Sequence, residues 1–155
     1  MEAHLIKFGT KKHRLDFLFS EKYLRVSALG AFVTGELMIY GQSCDIHQVK
    51  KIYDALKDID HVPVAHLTPK DKSVCVLKIK GEYRGMGYYD EINIYKRANG
   101  DIIFSVFCGY RYHSHEFKLS KRKIVTLRKE LKKFYNLEGL RQYDRDNNLI
   151  FFNEV

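Results

Sequence analysis

The sequence predicts an α+β fold in which two meanders of antiparallel strands are each followed by one helix. Segments that alternate apolar and polar residues come first, a segment with helical periodicity follows, and this order then repeats. The strands are separated by short turns, including the Asn99-Gly100 hairpin signal, which favours antiparallel pairing in a sheet with the helices packed on it. We expect a single domain over residues 1–155, with halves at 1–62 and 70–139 and a tail at 140–155.

The first half contains four predicted strands and one predicted helix. Alternation indicates strands at residues 4–8, 13–19, 23–29 and 36–40. Apolar residues from Ile46 to Ile59 then recur at spacings of three and four, which predicts an amphipathic helix. Asp45 is its expected N-cap, and Gln48 completes a capping box. Residues 62–67 form at most an edge strand, because Pro63 cannot donate a ladder hydrogen bond.

The second half repeats this plan. Alternation predicts strands at residues 73–80, 92–97, 101–109 and 110–119, and a glycine-rich loop follows the first of them. This loop presents Tyr83, Arg84, Tyr88 and Tyr89. Ser120 is the expected cap of a second helix, which Gly139 closes, and a short hairpin around residues 146–148 ends the chain. The pattern leaves open whether the two halves share one sheet.

Composition restricts the class of protein. The 155 residues include only two prolines and 45% hydrophobic residues, which excludes disordered and low-complexity classes. No apolar run reaches the roughly 18 residues that a membrane span needs, and the first residues do not resemble a signal peptide. The three cysteines are an odd number and lie far apart, which favours reduced thiols. We therefore expect a cytoplasmic protein without a membrane partner.

The excess positive charge is concentrated in the second predicted helix. The formal net charge is +8, and residues 120–133 carry seven cations and one anion. The apolar stripe of this helix directs Arg122, Lys129 and Lys133 to the opposite face, with Lys121 beside the stripe. Cations in a first helical turn are disfavoured by the helix dipole, and a bound anion would offset that cost. These residues are candidate binding residues; a solvated lysine-rich face is the alternative.

No catalytic signature stands out. His113 and His115 lie on one side of a predicted strand, with Cys108 and Glu116 nearby, but no further ligand has a spacing that suits a metal site. The glycine-rich segment lacks the lysine and the following helix of a P-loop. We expect a non-enzyme without a cofactor, and a histidine-based hydrolase is the remaining enzyme alternative.

Tyr110 and Tyr112 alternate with cationic residues on the last strand predicted before the second helix. Rings and cations in this order suit stacking on single-stranded bases. The alternative is a strand with tyrosines at the rim of its sheet.

Residues 23–137 resemble the WapI-type group, small cytoplasmic immunity proteins of bacterial polymorphic toxins. The likeness lies in Gly30-Ala31-Phe32, an Asp-capped helix that ends near Ile59, Val64-Ala65-His66-Leu67, Gly100-Asp101-Ile102, and Glu116-Phe117-Lys118-Leu119 leading into a helix. The order of elements is also similar to that of the Whirly- and PUR-type single-strand binders. The first resemblance implies a non-catalytic protein that occludes a toxin-like protein partner. The second implies single-stranded nucleic-acid binding through the basic helix and the strand tyrosines.

Overall fold

A computed structural model describes residues 3–68, 72–83 and 89–137, together with the backbone of 142–143 and 149–150. The elements run in the following order: β1 (His4–Gly9), β2 (Arg14–Phe19), β3 (Leu24–Ala31), β4 (Leu37–Cys44), α1 (Ile46–Asp58), β5 (Ser73–Tyr83), β6 (Tyr89–Arg97), β7 (Ile102–Cys108), β8 (His113–Leu119), α2 (Lys121–Phe134), β9 (Gln142–Tyr143) and β10 (Leu149–Ile150). A short 3-10 helix, Ile59–His61, continues α1.

The α+β class is confirmed, and the strands form two four-stranded sheets rather than one. Sheet 1 has the order β1-β2-β3-β4 and sheet 2 the order β5-β6-β7-β8, with every neighbouring pair antiparallel. Each sheet is a simple meander followed by its helix, as the repeated pattern predicts. The predicted C-terminal hairpin is present as the β9–β10 pair, whose turn lies outside the described residues.

Both sheets and both helices contribute to one hydrophobic core. Phe17 of sheet 1 and Phe104 of sheet 2 are fully buried, and their rings meet edge to face with centroids 5.4 Å apart. Leu56 of α1 and Leu127 of α2 are equally buried in the same cluster. Each half thus buries its apolar residues against the other half.

Local signals define α1 as predicted. The backbone amide of Gln48 donates to Asp45 Oδ1 at 2.9 Å, and the amide of Asp45 donates to Gln48 Oε1 at 3.0 Å, so the capping box is confirmed. The end of the helix depends on a distant residue. The buried ammonium of Lys96 donates to the carbonyl oxygens of Ile59, Asp60 and Val62 at 2.9, 3.3 and 3.0 Å. Its charge is therefore satisfied by carbonyls at and just beyond the C-terminal end of the helix.

Several predicted boundaries differ from the observed ones; β4 continues past Tyr40 to Cys44, and β6 begins at Tyr89 rather than at Ile92. Residues 62–67 contain a turn and no strand, which the prediction of at most an edge strand allows, whereas residues 110–112 form a turn instead of the start of β8. Tyr112 has a φ of 49°, which no strand residue adopts. The second helix ends at Phe134, because Tyr135 is extended and its hydroxyl is held at the turn between β2 and β3, where it donates to the carbonyl of Tyr23 at 2.9 Å. Gly139 lies outside the described residues. Among the described residues, no helix is long and apolar enough to span a bilayer.

Candidate functional site

Helix α2 is held in one orientation by its cap and its apolar stripe. The Ser120 hydroxyl accepts from the backbone amide of Lys123 at 3.2 Å, and Ile124, Leu127 and Leu131 are buried in the core. These contacts fix which side of the helix faces solvent.

The solvent side of α2 carries the predicted cations, and we call Lys121, Arg122, Lys129 and Lys133 the cationic face. All four residues are exposed. In the described part of the chain, no carboxylate forms an ion pair with any of them. Glu130, the single acid of the helix, lies instead 3.4 Å from His4. The positive charge on this surface is therefore not neutralised by neighbouring acids.

The first turn of α2 accumulates positive charge. It contains no acidic residue, and the peptide dipoles already make a helix N-terminus positive. Lys123 turns toward Phe8, with its Nζ atom 5.8 Å from the ring centroid, while Lys121 and Arg122 extend into solvent. An external anion at this end of the cationic face would relieve the repulsion.

Tyr110 and Tyr112 are exposed, but they do not share a surface with the cationic face. They lie in the turn before β8, with 78% and 69% of their surface accessible, whereas α2 begins after β8. A strand of this length separates its two ends by about 20 Å. Arg111 between them is occupied, since its guanidinium lies 3.6 Å from Glu36 and 5.7 Å from the ring of Phe32. The predicted strand of alternating rings and cations is therefore wrong.

The tyrosines of the glycine-rich loop are described only in part. Tyr83 ends β5, Tyr89 begins β6, and the two are register partners. Tyr89 is 38% exposed, and Lys80 Nζ lies 5.3 Å from the centroid of its ring. Arg84 and Tyr88 lie outside the described residues, so their predicted role in binding stays a prediction.

The histidine pair on β8 belongs to the packing between the sheets. His115 is buried, and its Nε2 atom lies 2.9 Å from the carbonyl oxygen of Ala31 while its Nδ1 atom lies 2.7 Å from the hydroxyl of Tyr40. The ring of His113 lies 4.7 Å away. Burial lowers the pKa of His115. Among the described residues, no cluster of three or more histidine, cysteine or acidic side chains could hold a metal ion.

Gly30 is a sequence feature that relates to the position of His115, but this relation is evident only from the three-dimensional structure. A Cβ atom on Gly30 would overlap the imidazole ring of His115, so this strand position accepts only glycine while the ring is present. Gly30 and His115 are far apart in the sequence, and nothing local indicates that they meet.

A search against protein-family models and a search of curated proteins both found no match for this chain.

Proposed function

We propose that the protein is a non-catalytic, cytoplasmic binding protein that occludes an acidic protein partner through the cationic face of α2, in the manner of an immunity protein. The observation that carries this proposal is the exposure of four cations, none of them in an ion pair with a carboxylate of the described residues, on a helix whose opposite side is fixed in the core. A surface of this kind is electrostatically unfavourable alone and becomes favourable against a negatively charged surface.

The charge of the face restricts the partner. Complementarity requires carboxylates or phosphates on the other side, because like charges across an interface cost several kcal/mol. The separation of Tyr110 and Tyr112 from α2 removes the combined surface of rings and cations that single-stranded nucleic acid would use. A protein surface rich in Asp and Glu therefore suits this face better than a nucleic acid does.

Cys44 and Cys108 are buried and Cys75 is exposed, and the burial of Cys44 and His115 supports a role without turnover. The Cys44 thiol is fully buried, and burial raises its pKa to about 12, so that it is protonated and inaccessible near neutral pH. Both ring nitrogens of His115 already contact protein atoms, which leaves neither of them for a substrate.

Charge reversal with a matched control tests the proposal. A fluorescent polyglutamate peptide and single-stranded and duplex oligonucleotides of equal charge serve as probes in anisotropy titrations. We expect the peptide to bind most tightly, and the triple variant Arg122→Glu, Lys129→Glu and Lys133→Glu to weaken its binding at least about tenfold. The control Lys7→Glu, Lys11→Glu and Lys12→Glu reverses as many exposed cations elsewhere and should bind like the wild type.

Three results overturn the proposal. No binding of the peptide at low salt removes the acidic-partner role. An equal loss of peptide affinity in the control variant shows that binding depends on the net charge of the protein rather than on the cationic face. Tighter binding of an oligonucleotide, weakened steeply by salt and by the α2 variant, establishes the nucleic-acid alternative instead.

A further inference from the structure

The outer face of sheet 2, away from the shared core, contains a groove of about 750 Å³. Its floor is the centre of the sheet, where Asn93 of β6 pairs with Ser105 of β7, and both residues are at least nine-tenths buried. Tyr95 and Phe107 stand on either side of this pair, and Glu91 and Glu116 also line the groove. None of these residues belongs to the cationic face of α2.

An unsatisfied amide marks the floor of the groove. Asn93 is 4% exposed, and its Oδ1 atom has no hydrogen-bond partner among the residues that the structure describes. Its Nδ2 group donates to Glu91 Oε2 at 3.4 Å, so the carbonyl oxygen is the part of the amide that a further donor could satisfy. A buried acceptor without a donor costs about 1–3 kcal/mol, and a ligand that supplies an N–H group recovers this free energy.

The acceptors of the groove are two carboxylates and the oxygen of Asn93, and its cations are Lys72 and Arg97. The carboxylates of Glu91 and Glu116 line the same groove as Asn93, and the Glu116 carboxylate lies 3.5 Å from the guanidinium of Arg97. Burial and the negative charges of Cys75, Glu91 and Glu116 raise the pKa of Tyr95. A ligand with two adjacent N–H donors would match a carboxylate and the Asn93 oxygen together.

The walls and the edge of the groove specify the rest of the ligand. The half-buried rings of Tyr95 and Phe107 favour a flat ring between or above them. On β5, the exposed Lys78 and Lys80 are the register partners of Asn93 and Glu91, so they project from the same face of the sheet. The two lysines place positive charge beside the acceptors on the floor of the groove. This arrangement suits a ligand in which a flat ring with N–H donors is joined to an anionic group.

We propose that this groove binds a guanine nucleotide, free or within a single strand. The N1–H and N2–H donors of guanine face the Glu91 carboxylate and the Asn93 oxygen, the base contacts Tyr95 and Phe107, and the phosphate lies toward Lys78 and Lys80. Uracil has a single N–H donor between two carbonyls, and it would leave one acceptor of the floor unpaired. A guanidinium group also has adjacent donors, but its charge is repelled by Lys78, Lys80 and Arg97.

Titrations of the full chain with defined probes test this assignment. Guanosine monophosphate, uridine monophosphate, an arginine-containing peptide, and single-stranded oligoribonucleotides of guanine-containing or uracil-only sequence are added to isotopically labelled protein. We expect guanosine monophosphate to shift the Asn93 side-chain amide and the amides of β6 and β7, with at least about tenfold weaker binding of uridine monophosphate. A free nucleotide that binds as tightly as the oligoribonucleotide identifies a nucleotide site, and much tighter binding of the oligoribonucleotide identifies a single-strand site.

Variants separate this groove from α2 and from effects on folding. Lys78→Glu with Lys80→Glu changes only exposed side chains and should weaken binding at least about tenfold. Asn93→Leu should remove the preference for guanine over uracil. Phe107→Leu should weaken the binding of both guanosine monophosphate and uridine monophosphate. Charge reversal of Arg122 and Lys129 should leave the binding of guanosine monophosphate unchanged. The test of the groove is therefore independent of the proposal for α2.

Any one of four results overturns the assignment of a guanine site. The first two are equal affinity for the two mononucleotides and shifts confined to α2. The other two are tighter binding of the arginine-containing peptide than of any nucleotide and the absence of any shift at low salt. Unchanged binding in the Lys78 and Lys80 variant, whose folding the spectra report directly, also contradicts it.

Discussion

The Tyr40 hydroxyl lies 2.7 Å from Nδ1 of His115, so that a strand of sheet 1 and a strand of sheet 2 meet through one polar contact inside the shared core. The same hydroxyl oxygen lies 2.6 Å from the carbonyl oxygen of Val106, and the Nε2 atom of the ring lies 2.9 Å from the carbonyl oxygen of Ala31. The three contacts involve four strands, and they make His115 the polar centre of the packing between the sheets.

His115 should make stability depend on pH. Burial lowers the pKa of its imidazole, the contact with Ala31 opposes this, and the neighbouring His113 and His13 lower the pKa further. The unfolded chain therefore takes up a proton near pH 6.5, where the folded ring is still neutral. The free energy of unfolding should accordingly fall as the pH drops below about 6.5, and it should level off below the folded pKa.

Urea unfolding of the wild type and of His115→Gln between about pH 8 and pH 5 checks this dependence. The variant should show a shallower fall in stability than the wild type, whereas His66→Gln, which changes an exposed histidine, should not. Equal pH dependence in wild type and His115→Gln would contradict the lowered pKa.

Gly30 should tolerate a side chain only when the ring of His115 is absent. The added Cβ of Gly30→Ala would overlap that ring, so the variant should lose about 2 kcal/mol or more of stability. In a His115→Ala background the same change should cost much less, because the space is then empty. A double-mutant cycle by chemical unfolding measures the coupling, and additive effects would show that the two residues do not meet.

Lys96 should stabilise the end of α1 from β6. Lys96→Met removes the donor to three carbonyls and should cost about 2 kcal/mol or more, since hydrogen bonds to charged groups are stronger than neutral ones. Lys51→Met, at an exposed position of the same helix, should change stability by less than about 0.5 kcal/mol. Thermal unfolding compares the two, and faster amide exchange at residues 59–62 should accompany the loss in Lys96→Met alone.

Cys75 should be the reactive thiol of the folded protein. It is exposed, whereas Cys44 and Cys108 are buried and the pKa of Cys44 is raised to about 12. Labelling with a thiol-specific disulfide reagent near neutral pH should modify Cys75 rapidly and the other two cysteines only on unfolding. Fast labelling that persists in Cys75→Ser would contradict the burial of Cys44 and Cys108.

Local patterns predicted the features that depend on local contacts. Asp45 with Gln48 and Ser120 with the stripe of α2 are signals within a few residues, and they define the starts of both helices and the exposed side of α2. The turn at residues 110–112 was missed because alternating tyrosines look like a strand, while the positive φ of Tyr112 leaves no mark in composition.

Contacts between the two halves could not be predicted in the same way. The pairing of Tyr40 with His115 and the fit of Gly30 against that ring bring together residues of different sheets. The division into two sheets and the groove with the free oxygen of Asn93 depend on strand order and register, which no single segment encodes.

The partner of the cationic face can be captured directly by a photo-crosslinking amino acid in place of Thr126. This residue is exposed between the cations, and its hydroxyl donates to the carbonyl of Arg122 at 3.0 Å. Irradiation in cells should yield one acidic protein as a stoichiometric adduct. The adduct should be absent when the charges of Arg122 and Lys129 are reversed. It should also be absent when the crosslinker replaces Val33, which is 92% exposed in the β3–β4 turn. Nucleic-acid adducts, or protein adducts that persist after charge reversal, would contradict the proposed role of α2.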